Sequence, residues 1–282
     1  MAQKIVLSDD AINNICDAYY NSDASLTEVG VKFGLSSTKV RNILLEHGYV
    51  LKPQRHRKYT VDESYFDIID TPNKAYIIGL LAADGSNNEK EGEIRLSLQE
   101  RDVDILNKIS QCLGSNRPLT VRKFQKDTWQ DSYTLTINSH HISQRLSEIG
   151  IVQKKSLVLN FPKDIPNELI PSMLRGYIDG DGWIQPHLIG FMSTDTFCYQ
   201  TQEYLRNYLD IDSTVMDMKR HYNIHTKTLY ITGIKNLIPF AYSLYEHSEL
   251  CIERKKYHCL EYGFLLEPDN SSLELRFNEV TV

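Results

Sequence analysis

Two nine-residue stretches constrain this chain more than anything else in it. Ile77-Ile78-Gly79-Leu80-Leu81-Ala82-Ala83-Asp84-Gly85 and Leu174-Arg175-Gly176-Tyr177-Ile178-Asp179-Gly180-Asp181-Gly182 share a small central residue, an apolar stripe and a closing Asp-Gly. Asp84 and Asp181 stand 97 positions apart (181 − 84), and so do Gly85 and Gly182. That period is the size of a domain, so the chain repeats a fold and not a short solenoid unit.

The surroundings repeat as well. Thr71-Pro72 places proline at a favoured first helical position, and Pro166 or Pro171 opens the second copy in the same way. Strand-like runs follow at Glu93 to Gln99 and at His187 to Ser193, then amphipathic helices at Asp102 to Leu113 and Asp195 to Leu209. A second strand pair comes next, Leu119 to Phe124 with Ser132 to Asn138, matched by Thr214 to Lys219 with Thr228 to Thr232. Each copy closes on a helix, Ser139 to Ile149 and Ile234 to Tyr245. The expected fold is α+β: two pseudo-symmetric αββαββα repeats over 71–160 and 161–268, with a polar tail at 269–282.

The doubled motif also makes a chemical statement. Gly79 and Gly176, with Ala82, Ala83 and Gly180, give each helix a small-residue face, so the two helices can cross backbone to backbone. Their C-terminal ends then bring Asp84 and Asp181 together. Carboxylates at helix C-termini face the negative end of the dipole, and two of them repel. A hard divalent cation relieves both costs, with the backbone oxygens of Ala83 and Gly180 as further donors.

Ahead of the repeats, three short helical pieces are expected within a domain spanning 1–50. Ser8-Asp9-Asp10 caps the first, Leu26 to Phe33 is the second, and Gly34 stops it before a third from Thr38 to His47. Helix, glycine turn, helix is a helix-turn-helix outline, and Leu26 to Ser36 resembles the resolvase-like version. On the third helix Ser37, Thr38, Lys39, Arg41 and Asn42 face outward and suit a major groove. Residues 51–70 read as a basic linker in which Lys52, Arg55, Arg57 and Lys58 would follow phosphates.

Charge alone does not name a partner. The net −6 is concentrated late: residues 71–160 carry 12 basic and 10 acidic side chains, 161–268 carry 10 and 14, and the tail 1 and 3. The longest apolar run, Ala75 to Ala83, is too short to span a bilayer. The N-terminus lacks the apolar core of a secretion signal, and five cysteines without a CxxC pair fit a reduced, intracellular (cytoplasmic) protein.

Taken together, the paired nonapeptides resemble those of the LAGLIDADG homing endonucleases in their single-chain, two-motif form. The resemblance implies a monomer that hydrolyses both strands of a long double-stranded DNA target across the minor groove, leaving 3′ overhangs, and a mobile intron or phage element as its source. It implies Mg²⁺ (Mn²⁺ or Ca²⁺ as substitutes) held by Asp84 and Asp181. The first copy has Ala82 where the second has Asp179. The last acid, which holds metal in the family, is present in both.

The family also sets a basic residue beside the metals, after each last helix. Gln153-Lys154-Lys155 and Arg254-Lys255-Lys256 occupy those places, and near-equal offsets from the acids single out Lys155 and Lys256. Gln99 is a further candidate for ordering water. The strands imply a DNA-reading surface from Arg122, Lys126, Gln130, Ser132 and Thr134 in the first copy, and from Lys219, His221, Asn223, His225 and Lys227 in the second. His221 and His225 sit in a hairpin-like stretch, which disfavours zinc. The termini, Met1-Ala2 and Thr281-Val282, lack the nucleophiles of protein splicing. Two other functions share the fold: a non-cleaving DNA-binding transcriptional regulator and an RNA-splicing maturase. The retained acids argue against the regulator.

Overall fold

The computed structural model describes residues 7–21, 24–51, 58–124, 130–155, 158–217 and 226–265. The chain divides into two compact units, Met1–Lys58 and Tyr59–Val282.

The first unit is three short helices, α1 (Asp9–Tyr20), α2 (Leu26–Phe33) and α3 (Ser37–Glu46). Serine starts each one: Ser8, Ser25 and Ser36 accept from first-turn amides, and Ser25 forms a full capping box with Glu28. Gly34 ends α2 at φ +64°, and the Leu35 amide then returns to the Gly30 carbonyl at 2.8 Å. A side chain at Gly30 would meet the Leu35 carbonyl oxygen at 2.5 Å, so glycine is required for so tight a turn. Ile15, Cys16, Tyr19, Val29, Val40, Ile43 and Leu44 form the core of this unit.

The second unit is built around α4 (Pro72–Asp84) and α7 (Ile170–Asp181). From Ala75 to Ala82 every residue of α4 is buried, which marks a helix enclosed on all sides. Behind α4 come β1 (Gly85–Asn88), β2 (Glu93–Gln99), α5 (Val103–Cys112), β3 (Thr120–Arg122), β4 (Ser132–Asn138) and α6 (His140–Ile149). Behind α7 come β5 (Gly182–Gln185), β6 (Leu188–Thr194), α8 (Asp195–Leu209), β7 (Thr214–Asp217), β8 (Thr226–Thr232) and α9 (Ile234–Tyr245). Each copy forms an antiparallel four-stranded sheet, in orders β1-β2-β4-β3 and β5-β6-β8-β7. The strands alternate faces, so Ile94, Leu96 and Leu98 enter the core while Arg95, Ser97 and Gln99 point away.

Residues 59–70 correct the expected linker. They pack onto the first repeat: the Asp62 amide donates to the Leu113 carbonyl at 2.8 Å, and Phe66 and Ile69 are buried in the main core. Phe66 and Ile69, with Val61 and Tyr65 packed beside them, stand among polar residues without a regular period, and side-chain hydrogen bonds such as Ser139 to Glu63 add to their hold. The expected helices and long strands otherwise stand, with α7 starting at Ile170 and its Pro171 in the first turn.

One further helix, α10 (Glu253–Glu261), has no counterpart in the expectation. Its sequence, ERKKYHCLE, offers no apolar stripe, and no side chain caps its start. Tertiary contacts hold it instead, as described below.

Candidate active site at the paired helix ends

The glycines determine how closely α4 and α7 pack. A Cβ on Gly79 would lie 1.9 Å from the Met173 carbonyl oxygen, and one on Gly176 would lie 2.1 Å from that of Tyr76. Neither helix has room for a methyl group at the crossing. Further along, a Cβ on Gly180 would meet the Asp84 carboxylate at 3.0 Å. The acid-bearing end of α4 therefore lies against the last turn of α7.

Both carboxylates reach solvent but are crowded by protein on most sides. Loss of hydration is accordingly the main influence on them: Asp84 is pushed up to about 6 by burial and then by the charge of Asp181. Burial raises Asp181 too, against the pull of Lys155 and Lys255. Lys155 and Lys255 are themselves buried, and the same desolvation lowers both, Lys255 to about 8.

Each lysine is fixed to a helix end. The Lys155 ammonium donates to the Gly85 carbonyl, and that of Lys255 to the Gly182 carbonyl and, at 3.3 Å, to Ile178. A cation there complements the negative dipole end of α4 and α7. In the second copy the structure thus corrects the expected residue: Lys255 takes the place equivalent to Lys155, while Lys256 turns to the Ser248 hydroxyl at 3.3 Å. Equal offsets misled because α10 is a helix and its neighbouring lysines point in different directions.

Different devices hold the two lysine-bearing segments. In the first copy Asn87, 1% exposed, donates to the carbonyls of Ser143 and Ile151 at 2.9 and 2.8 Å. In the second, fully buried Asp179 accepts from Tyr76, Tyr245 and the Ile252 amide, which begins α10. Burial pushes this carboxyl up to about 6 despite those three donors. Arg175 donates to the Leu244 and Leu250 carbonyls. Arg254 then ties α10 across to the first repeat through a two-pronged bond with Asp102, each prong 2.9 Å. In the sequence Asp179 stands out only as a departure from symmetry with Ala82, and Asn87, Asp102 and Arg254 carry no signal of a place near the site. A buried Asp one turn from an Asp-Gly stop was the available signal.

Other expected residues are placed less centrally. Gln99 is exposed at the end of β2, opposite Ser132 on β4, on the open face that also carries Arg95, Ser97 and Thr134. Arg122, also opposite Ser132, stacks over Phe124 at 4.9 Å, and Gln130 is exposed. Lys227 is already engaged by Asp217, its partner on β7, which weakens it as a phosphate contact. Lys39, Arg41, Asn42 and Lys58 belong to the first unit, with Arg41, Asn42 and Lys58 exposed. Lys52, Arg55, Arg57, Lys126, Lys219, His221, Asn223 and His225 lie outside the described residues.

No known family profile and no curated protein sequence matches the chain. Solved structures do. The homing endonuclease I-WcaI bound to its DNA recognition sequence shares 12% identity over 77% of this chain and 96% of its own, with a TM-score of 0.50. Other matches are full-length DUF199/WhiA from Thermatoga maritima (14% identity, 78% and 71% covered, TM-score 0.44) and I-DmoI in complex with DNA and Mn (14%, 63% and 98%, 0.43).

This is the LAGLIDADG fold.

Within the LAGLIDADG frame the donor set at the helix ends is all oxygen: two carboxylates from different helices, and last-turn carbonyls such as those of Ala83 and Gly180 with no helical amide four residues on. Such a set fits a hard divalent cation, whose charge would offset the crowding that raises both acids. Among the described residues no group of three His, Cys, Asp or Glu side chains gathers as a metal site, so the remaining ligands would come from water and substrate. Among them, too, no helix is long and apolar enough to cross a membrane.

Proposed function

We propose that the chain is a site-specific DNA endonuclease that cuts both strands of a double-stranded target. The observation that carries this reading is the juxtaposition of Asp84 and Asp181 at two helix ends, each end also holding a buried lysine. Mg²⁺ bound between the carboxylates would supply a polarised water and a counter-charge for the leaving 3′ oxygen. The protein's own groups divide the work. Asp84 and Asp181 hold position at the meeting of the two copies, so that one carboxylate serves each strand. Lys155 and Lys255 add positive charge close to the developing phosphorane without needing to be titrated. The open faces of the two sheets, which start beside the acids at Gly85 and Gly182, lie where the flanking duplex would pass.

The first unit extends this reading. Its α2–α3 turn and the exposed Arg41 and Asn42 suit a second DNA contact, with the basic stretch 52–58 following phosphates. Deleting residues 1–58 should shorten the protected DNA at one end and flatten the salt dependence of binding, while cutting survives at higher protein concentration.

Incubation with a randomised double-stranded DNA library and Mg²⁺, followed by sequencing of the ends, tests the assignment. Discrete double-strand ends are expected from the parent and none from Asp84→Asn or Asp181→Asn, both of which should still bind. Enrichment of bound DNA without cut ends would favour a non-cleaving regulator, and cutting by either variant would sink the metal assignment.

A further inference from the structure

The open faces of the two sheets differ in chemistry. On the first, hydrogen-bonding groups predominate: Arg95, paired with Glu93, Ser97 bonded to Thr134 at 2.8 Å, and Gln99 opposite Ser132. On the second, Gly190 and Met192 stand where Arg95 and Ser97 stand on the first, and Trp183, Tyr230 and Met216 share that face with Thr194, Thr226 and Thr228. Trp183 on β5 lies edge-on to Tyr230 on β8, ring centres 6.0 Å apart, and Gly190 between them in register leaves the space the indole fills. A Cβ on Gly190 would crowd that indole at 3.2 Å. Two residues along β6 is Met192, and across Thr228 from it is Met216. The two methionines are 41% and 50% exposed, although Thr228 beneath them is 2% exposed. The opposite face of the same strands carries Ile189, Phe191, Leu229 and Ile231, all fully buried, so the strip is not a displaced part of the core.

Trp183, the first open-face residue of β5, is two positions after Asp181, so the strip starts beside the acids and would lie under a duplex seated on them. In a major groove the apolar feature available for contact is the 5-methyl group of thymine, and thioether and aromatic side chains bury a methyl well. We propose that the second sheet reads its half of the DNA target by apolar contact with thymine methyls through Trp183, Met192, Met216 and Tyr230, whereas the first sheet reads by hydrogen bonds. The inference rests on the endonuclease reading for its choice of partner. It adds the substrate class: a target polarised in composition, thymine-rich in the major groove on one side of the cut.

Replacing thymine by deoxyuridine removes only the methyl and tests this directly. Binding would be selected from a randomised duplex library with Mg²⁺ withheld, and each half of the selected site then rebuilt with deoxyuridine. One half should lose affinity roughly threefold to fivefold per methyl removed, the value of burying one such group, and the other half should be indifferent. Photocrosslinking with 5-iodouracil in the sensitive half should label peptides containing Trp183, Met192 or Met216. Met192→Ser and Met216→Ser, both at exposed positions and so compatible with folding, should abolish the deoxyuridine penalty at the contacted base. Tight, selective DNA binding that is indifferent to deoxyuridine in both halves would overturn the methyl-reading proposal and leave the endonuclease reading intact. No DNA binding at all would overturn both.

Discussion

The two repeats build the same scaffold with different internal chemistry. In the first, the core around Phe66, Ile77, Leu81, Leu96, Ile109 and Leu135 is almost wholly aliphatic and lines a small apolar cavity. In the second, Tyr177, Phe191 and Phe197 pack ring against ring with centres 4.6 to 5.8 Å apart. The segments bearing the lysines differ likewise: an amide, Asn87, holds one, and a buried acid with two arginines holds the other. What must match between halves is the position of the carboxylate and the ammonium. How each is held there is free to diverge.

The largest effect is expected where the backbones of the two halves meet, at the crossing of α4 and α7. Gly79→Ala and Gly176→Ala should each cost upward of about 4 kcal/mol, because backbone cannot retreat from a 1.9 or 2.1 Å approach. Chemical denaturation of either variant would show it; a melt like the parent's would mean the helices do not cross as described.

Smaller losses should be specific to one half. Asn87→Ala removes the side-chain donor to the Ile151 carbonyl, and Asp179→Asn keeps one acceptor oxygen but turns the other into an amino group that cannot accept from the tyrosine hydroxyl or amide facing it; each should cost roughly 2–4 kcal/mol. Hydrogen exchange should speed near Ile151 in the first variant and near Ile252 in the second. Equal loosening of both segments in either variant would remove the distinction between the halves.

The acid pair predicts a pH effect of modest size. The folded carboxyl of Asp84 sits at about 6 against an ordinary 3.8, so between those values the folded chain binds more protons than the unfolded one. Metal-free protein should therefore gain stability as pH falls from neutrality through 6, the gain levelling off near 4. Asp84→Asn should melt higher than the parent at pH 7 by roughly 2–4 °C, with solvent screening limiting the difference, and should lose that advantage in acid. Melting curves in chelator decide the matter, and a variant that melts lower at pH 7 would show that the lost hydration and the neighbouring charge of Asp181 do not destabilise the folded carboxylate.

The least disruptive substitution exploits the cavity. Leu96 and Phe191 occupy the same register position, opposite Gly85 and Gly182. Leu96→Phe should fill the void and raise stability by about 0.5–1 kcal/mol, seen as a shift in denaturant midpoint without a change in slope. A loss instead would mean the aliphatic core cannot adjust to a ring.

Most of the scaffold was legible in sequence because it follows local rules: serine caps, alternating strands, proline at helix starts and a 97-residue echo. Asp84 and Asp181 were legible because they close an apolar helix where no acid is otherwise expected. Lys255 was not, since two adjacent lysines differ only in where a helix turns them, and α10 is made by Asp179 and Arg254 and not by its own sequence. Asn87 was invisible for a similar reason, its three partners lying more than fifty residues away. Residues 59–70 read as a tether because their anchoring side chains, Val61, Tyr65, Phe66 and Ile69, follow no regular period.

The closeness of α4 and α7 has a consequence for how such a chain can change over generations. Each half supplies backbone that shapes the other's crossing, so neither glycine can drift while its counterpart stays fixed. The outer strands face no such restraint, and their open faces already differ. Exchange of whole halves between related proteins should therefore succeed wherever the seam is kept, which makes the crossing the heritable joint of the molecule and the sheet faces its interchangeable parts.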